Sequence, residues 1–184
     1  MSSNGNIREQ IVAKLPELEL IKNEAYKKAV IDIWEEVVKE SGWENIEDVP
    51  KSGAAKEFRN LDHTRSVTLQ AAACADIVEK IYNFKVDRDA LITAALIHDL
   101  SKFFEFNKDG SKTQYGKLMQ HGMLAAQKAA EHGLPLEIQH MVVTHTDLSR
   151  IMPQTIEAII LHYVDYLDSD VLLHVLGKPL FLKK

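Results

Sequence analysis

Six histidine and aspartate residues are placed along the chain in a way that favours metal binding. In chain order they are His63, His98, Asp99, His121, His145 and Asp165. Each lies on or at the end of a segment with helical periodicity, so packed helices can bring the six side chains together. Imidazole nitrogens and carboxylate oxygens suit divalent transition metals, and we expect one or two ions of iron, manganese, nickel, cobalt or zinc.

The adjacent pair His98 and Asp99 ends an apolar run in the segment ALIHDLSK, residues 95–102. Burial of ionisable groups is costly unless they are paired or bind a metal. Neighbours on a helix point about 100° apart, so His98 can bind an ion while Asp99 reaches the same ion or a second one. Lys102 follows Asp99 by about one turn, and its ammonium can lean toward the same site. The alternative for Lys102 is a charge at a helix C-terminus, which the macrodipole favours.

Five short segments carry these residues: DHTRSV, LIHDLSK, QHGMLAA, VVTHT and HYVDYLDSD. Their order resembles the HD superfamily of metal-dependent phosphohydrolases over roughly residues 58–172. One such histidine alone is more often a core or surface residue, whereas six in this order are specific. The resemblance implies a first metal held by His63, His98, Asp99 and Asp165. It also implies that His121 and His145 are the added ligands of the two-metal branch.

The resemblance implies an enzyme that hydrolyses a phosphomonoester or phosphodiester of a small molecule, with a nucleotide as the expected substrate. Its nucleophile is a metal-activated water, which Asp99 both holds and orients. Lys102 is expected to be catalytic, because it can neutralise a phosphate oxygen as charge builds. Two alternatives stay open: a di-iron oxygenase that uses the same six ligands, and a non-catalytic nucleotide-sensing HD module.

Several charged residues near the six are candidates for supporting roles. Lys117 and Arg150 are expected, with Lys102, to bind substrate, although each can also be read as a solvated surface charge. Arg65 is expected to point away from the metal and to brace a carboxylate. Asp168, like the acidic residue two positions later, is expected to belong to a solvated turn. His162 is a further candidate to support a metal ligand.

The elements that must position these residues are helices, because no segment shows the alternating pattern of a strand. The periodicity predicts helices at residues 6–15, 23–41, 62–82, 87–104, 119–132, 135–146 and 153–176. The segments at residues 41–58 and 107–116 are predicted as loops. The predicted fold class is all-α, an HD-domain helical bundle at residues 51–184 with an N-terminal helical extension at residues 1–50.

Composition narrows the possible partners of the chain. A net charge of −5 over 184 residues argues against a general nucleic-acid binder, so the expected partner is a small phosphorylated molecule and not a long nucleic acid. The single Cys74 excludes an internal disulfide and fits a reducing, cytoplasmic setting. We expect no membrane partner, because no apolar run approaches the roughly 20 residues that span a bilayer and the N-terminus lacks a signal-peptide pattern. The oligomeric state stays open.

Overall fold

The computed structural model describes residues 7–182 and consists of packed helices. In chain order these are α1 (Ile7–Lys14), a 3₁₀ helix (Pro16–Leu20), α2 (Glu24–Ser41), α3 (Asn60–Tyr82), α4 (Arg88–Ile97), α5 (Lys102–Glu105), α6 (Gln114–Leu118), α7 (Met123–Glu131), α8 (Leu136–Thr144) and α9 (Ile156–Val175). The all-α prediction is confirmed, since the described residues form isolated β-bridges but no strand. None of the helices between residues 7 and 182 has the length and hydropathy to cross a lipid bilayer.

Local signals in the sequence set several of the helix ends. The Asn23 side chain accepts hydrogen bonds from two backbone amides in the first turn of α2, and Gly42 ends that helix with a φ of 76°. Asp87 caps α4 by accepting a hydrogen bond from the amide of Ala90 at 3.0 Å. The predicted starts of α2 and α4 and the end of α2 are therefore confirmed to within a residue.

The predicted helix at 87–104 is interrupted at residues 98–101. The regular helix ends at Ile97, and residues 98–101 form a turn before the short α5. Amides in this turn bond to carbonyls three residues earlier, as in the pair Lys102 and Asp99 at 3.1 Å. Because a 3₁₀-like turn is tighter than an α-helix, it changes the directions of the side chains that follow α4.

The predicted loop at 107–116 and helix at 119–132 also need correction. Helix α6 occupies residues 114–118, with the Thr113 hydroxyl accepting from the amide of Gly116 at 3.0 Å. A Cβ atom on Gly116 would overlap the backbone of Glu105, so a glycine is needed where α6 meets α5. The next helix starts later than predicted, because the chain turns at Gly122 with a φ of 85°.

The N-terminal helices pack on the rest of the bundle and share its hydrophobic core. The indole of Trp34 is fully buried and donates to the carbonyl of Leu96 at 2.8 Å. Trp43 donates in the same way to the carbonyl of Phe103 at 2.8 Å. These carbonyls belong to the helix ends on either side of the turn at 98–101.

The predicted boundary at residue 50, between the N-terminal extension and the HD domain, stays a prediction. Residues 1–6 lie outside the described part of the chain.

A second link joins the N-terminal region to α3. Arg65 donates through Nε to both carboxylate oxygens of Glu17, at 3.0 and 3.1 Å, and Glu17 is buried. The guanidinium thus satisfies a carboxylate that burial would otherwise leave without a partner. The prediction that Arg65 braces a carboxylate is confirmed.

We predict that Trp34→Phe lowers the free energy of unfolding by about 1–3 kcal/mol, because the buried carbonyl of Leu96 loses its donor while an aromatic ring remains. Urea denaturation of the metal-free protein measures this change. Tyr163→Phe is the control, since the Tyr163 side chain is exposed and its loss of a hydroxyl should change stability by less than about 0.5 kcal/mol. Equal stability of Trp34→Phe and the control would contradict the prediction.

Candidate metal centre

Three helices bring the first group of four residues together. His63 lies in the first turn of α3, His98 and Asp99 follow α4, and Asp165 lies in the middle of α9. His63 Nε2 is 2.9 Å from Asp165 Oδ1 and 3.2 Å from Asp99 Oδ2. His98 Nε2 is 3.6 Å from Asp99 Oδ2 and 3.8 Å from Asp165 Oδ1. All four side chains are buried. One ion can therefore contact all four.

The four atoms that face one another in this group make no hydrogen bond. They are His63 Nε2, His98 Nε2, Asp99 Oδ2 and Asp165 Oδ1. Buried polar atoms in native proteins are nearly always satisfied, and one ion placed among these four atoms would satisfy all of them. Two imidazole nitrogens and two carboxylate oxygens form a donor set that fits a divalent transition metal.

A second group of three residues adjoins the first and shares Asp99 with it. His121 Nε2 is 2.9 Å from Asp99 Oδ1 and 3.1 Å from His145 Nε2. The other oxygen of the same carboxylate faces the first group, so Asp99 would be a ligand in both groups if each held an ion. The structure thus brings all six predicted residues together, and their binding of metal stays a prediction.

Backbone carbonyls orient two of the four histidines. His98 Nδ1 donates to the carbonyl of Ala95 at 2.7 Å, and His145 Nδ1 donates to the carbonyl of Val142 at 2.5 Å. Each acceptor lies three residues earlier, in the last turn of the helix that the histidine follows. A proton on Nδ1 leaves the lone pair on Nε2, which is the atom that faces the candidate metal.

Carboxylates orient the other two histidines. Neither of these two carboxylates was identified as a histidine partner from the sequence. His63 Nδ1 lies 2.6 Å from Asp168 Oδ2, and His121 Nδ1 lies 2.7 Å from Glu105 Oε1. Carboxylate partners of this kind fix the ring and raise its strength as a ligand. Glu105 could not be found from spacing, because it reaches His121 only through the turn between α5 and α6.

The prediction that Asp168 belongs to a solvated turn is wrong. Its side chain is buried, and its second oxygen accepts hydrogen bonds from Ser66 Oγ at 2.5 Å and Gln70 Nε2 at 3.0 Å. Asp168 lies three residues after Asp165 and therefore on the same face of α9, which packs against α3. That spacing, with Ser66 three residues after His63, was the available signal.

The electrostatic environment keeps His98 and His145 neutral. Burial, together with the neighbouring His98 and His121, lowers the pKa of His145 to about 3. Burial also lowers the pKa of His98. A neutral imidazole is the form that binds a metal. These two rings therefore do not have to release a proton before they bind an ion.

His63 has the opposite balance in the metal-free protein. Burial and the charge of Lys51 lower its pKa, but the nearby carboxylates of Asp165, Asp168 and Asp99 raise it more, to about 9 overall. The carboxylates thus attract a positive charge to this position. A divalent cation bound in the first group would replace that proton.

Gly122 allows His121 to approach His145. Its φ of 85° lies in the left-handed region, and a Cβ atom there would be 3.0 Å from the carbonyl oxygen of Val142 and 3.3 Å from the His145 ring. Any other residue would be strained at this φ and would press on the second group.

The predicted lysine and arginine residues lie at different depths. Lys102 is buried, with its Nζ 3.2 Å from Asp99 Oδ2. Lys117 and Arg150 are exposed, and neither is among the residues that line the cavity beside the metal groups. Their contact with substrate stays a prediction.

His162 Nδ1 lies 3.1 Å from the carbonyl of Thr144, so it contacts the backbone next to His145 and no ligand side chain.

A cavity of about 410 Å³ opens beside the two groups. Its ionic lining includes Lys51, Lys102, His121 and Asp165. Its apolar and aromatic lining includes Phe106, Leu148, Tyr166, Leu172 and Phe181. The Tyr166 and Phe181 rings are 5.3 Å apart at a steep angle. The cavity therefore offers both charged groups and flat hydrophobic surfaces to a ligand.

Comparison with known proteins gives one family and two relatives. The family model described as HD domain matches residues 60–170. A dihydroneopterin 2',3'-cyclic phosphate phosphodiesterase from Methanocaldococcus jannaschii is 36% identical over 115 residues, which are 60% of this chain and 46% of that protein. The 3'-5' exoribonuclease YhaM from Geobacillus sp. (strain WCH70) is 38% identical over 98 residues, which are 46% of this chain and 30% of that protein. The chain thus spans less than half the length of either relative. No solved structure matches it significantly.

We predict that His121→Ala lowers the metal content of the loaded protein from two ions toward one, because His121 belongs to the second group alone. Elemental analysis after loading with manganese measures the stoichiometry, and circular dichroism checks that the helices persist. His174→Ala, an exposed histidine on α9, should keep the wild-type content. A wild-type protein that saturates at one ion would count against the second group.

We also predict that Asp168→Asn weakens metal binding by about 10- to 100-fold without changing the number of ions at saturation, because His63 loses its anionic partner. Competition with a chelator measures the affinity. Asp170→Asn is the matched control, since Asp170 lies two residues further along α9 and accepts from the amides of Phe181 and Leu182. Equal affinities for the two variants would argue that Asp168 has no such role.

Proposed function

The chain belongs to the HD domain family, and on that basis we propose that it is a metal-dependent phosphohydrolase. The proposed reaction is hydrolysis of a phosphomonoester or phosphodiester of a small, nucleotide-like molecule. One observation carries the proposal: two adjacent sets of metal-binding atoms share the Asp99 carboxylate and lie beside the buried Lys102. This arrangement suits the concentrated negative charge of a phosphoryl group.

The proposed ion positions are the two groups that meet at Asp99. Divalent ions held there supply Lewis acidity toward phosphoryl oxygens and lower the pKa of a bound water. Iron, manganese, nickel, cobalt and zinc all accept this mixture of imidazole and carboxylate donors. We propose two ions, because Asp99 directs one oxygen to each group.

Lys102 is proposed to stabilise negative charge on a non-bridging phosphoryl oxygen. Burial lowers its pKa, but the carboxylates of Asp99 and Glu105 raise it more, so the net shift is upward and the side chain stays an ammonium. Its position 3.2 Å from Asp99 holds that charge in place before a substrate arrives. A preorganised charge of this kind avoids the reorganisation that water would need during the reaction.

The lining of the cavity supports a nucleotide-like substrate. Phe106, Tyr166 and Phe181 offer aromatic surfaces on which a planar base can stack, while the charged residues suit a phosphate. A volume of about 410 Å³ lies within the usual range for small-ligand sites. The M. jannaschii relative is named for a cyclic phosphate ester, which agrees with this class of substrate.

The proposal is tested with metal-free protein reloaded with each candidate metal under exclusion of oxygen. The panel contains nucleoside monophosphates, cyclic nucleotides, a chromogenic phosphodiester and a short oligoribonucleotide, the last because one relative is named an exoribonuclease. We expect turnover of small phosphoesters without oxygen. Failure of the metal-loaded protein to consume any phosphoester, or turnover that requires oxygen, would overturn the proposal in favour of sensing or oxygenation.

We predict that Lys102→Ala lowers kcat by about 10²- to 10³-fold with unchanged metal content, because an ammonium is no metal ligand. Asp99→Ala should lower metal content and activity together. Lys108→Ala, an exposed lysine in the following loop, is the control and should behave like wild type. Lys102→Arg should recover part of the rate by restoring the charge. Wild-type activity in Lys102→Ala would show that the lysine is an ordinary helix-end charge.

A further inference from the structure

Lys51 is a buried lysine for which sequence reasoning gave no role. It is 7% exposed, yet no described residue lies within hydrogen-bond or ion-pair distance of its ammonium. Lysines are almost never buried without a partner, because removing an ammonium from water is costly. Its position therefore indicates a partner that is not part of the described chain.

The cavity beside the metal groups is where the Lys51 side chain lies. Burial and the charge of Lys102 lower the pKa of Lys51, and the carboxylates of Asp99 and Asp165 offset part of that shift. Two ammonium groups thus border the same space. The carboxylates of Asp99 and Asp165 offset part of their mutual repulsion, and an anion in the cavity would offset more of it.

The backbone around Lys51 is fixed by hydrogen bonds. Its amide donates to the carbonyl of Phe58 at 2.8 Å, and the amide of Asn60 donates to the carbonyl of Val49 at 2.8 Å. The Asn60 side chain in turn donates to the backbone carbonyl of Asp99 at 3.4 Å. The base of the loop that carries Lys51 is therefore held to the ligand turn itself, which fixes the backbone from which the flexible Lys51 side chain reaches the cavity.

The net charge of the ionisable side chains around the cavity indicates the charge of the ligand that fits there. The site contains four carboxylates and two lysines: Asp99, Glu105, Asp165, Asp168, Lys51 and Lys102. With the histidines neutral and two divalent ions bound, this set has an excess of two positive charges. A phosphoryl dianion would neutralise that excess, whereas a neutral substrate would leave the two positive charges uncompensated.

We propose that Lys51 binds a non-bridging oxygen of the substrate phosphoryl group, as a second ammonium beside Lys102. The inference rests on the proposed function, because it assigns a residue to the phosphate of that reaction. A lysine suits this task because its compact positive charge lies at the end of a flexible side chain, which can reach a phosphate oxygen from an irregular loop.

The test measures binding of inorganic phosphate by calorimetry to the manganese-loaded protein, in the absence of any ester. Lys51→Met keeps the length and burial of the side chain and removes the charge. We expect it to weaken phosphate binding by about 10- to 100-fold, the range for a hydrogen bond to a charged group. Lys51→Arg should recover part of the affinity. Lys56→Met, an exposed lysine of the same loop outside the cavity lining, should bind phosphate like wild type.

Metal analysis of each variant separates phosphate binding from metal loss, and Lys51→Met should hold at least as much metal as wild type. Wild-type phosphate affinity in Lys51→Met would overturn the inference even if the protein hydrolyses phosphoesters. Weakened phosphate binding in Lys51→Met, with no phosphoester consumed by wild type, would support the inference and defeat the proposed function. Absence of phosphate binding by the loaded wild type would overturn the inference.

Discussion

The shared carboxylate of Asp99 is the constraint on which the arrangement of the helices depends. Its two oxygens serve different neighbours, with Oδ2 facing His63 and Oδ1 facing His121. A carboxylate can serve two groups only if its backbone is fixed between them. The tight turn after α4, held from one side by Trp34 and from the other by Trp43, supplies that fixed point.

The two groups follow one plan, although they use different helices. Each contains one histidine held by a backbone carbonyl and one held by a carboxylate. In the first group these are His98 and His63, and in the second they are His145 and His121. The carbonyl-held rings are fixed by the helix that precedes them, whereas the carboxylate-held rings depend on contacts between distant segments. Each group thus combines one rigid neutral ligand with one more basic ligand.

The residue types and order of the six candidate ligands could be predicted, because the six together match the ordered pattern of the HD family. The supporting residues could not, since their partners are set by tertiary packing: His63 and Asp168 are 105 positions apart. Lys51 was missed because it lies in an irregular segment, where no periodic pattern indicates which side chains are buried. The turn after α4 was missed because a 3₁₀ turn and an α-helix share nearly the same apolar pattern.

The two indoles that support the ligand turn are also the only tryptophans in the sequence. Trp34 and Trp43 are both buried, and each donates to a backbone carbonyl beside the turn that carries His98 and Asp99. The tryptophan emission of the protein, excited at wavelengths that its five tyrosines hardly absorb, therefore comes from two indoles that support the same turn. Its wavelength and intensity report how tightly this one turn is held, so fluorescence can follow the site without a label or a substrate.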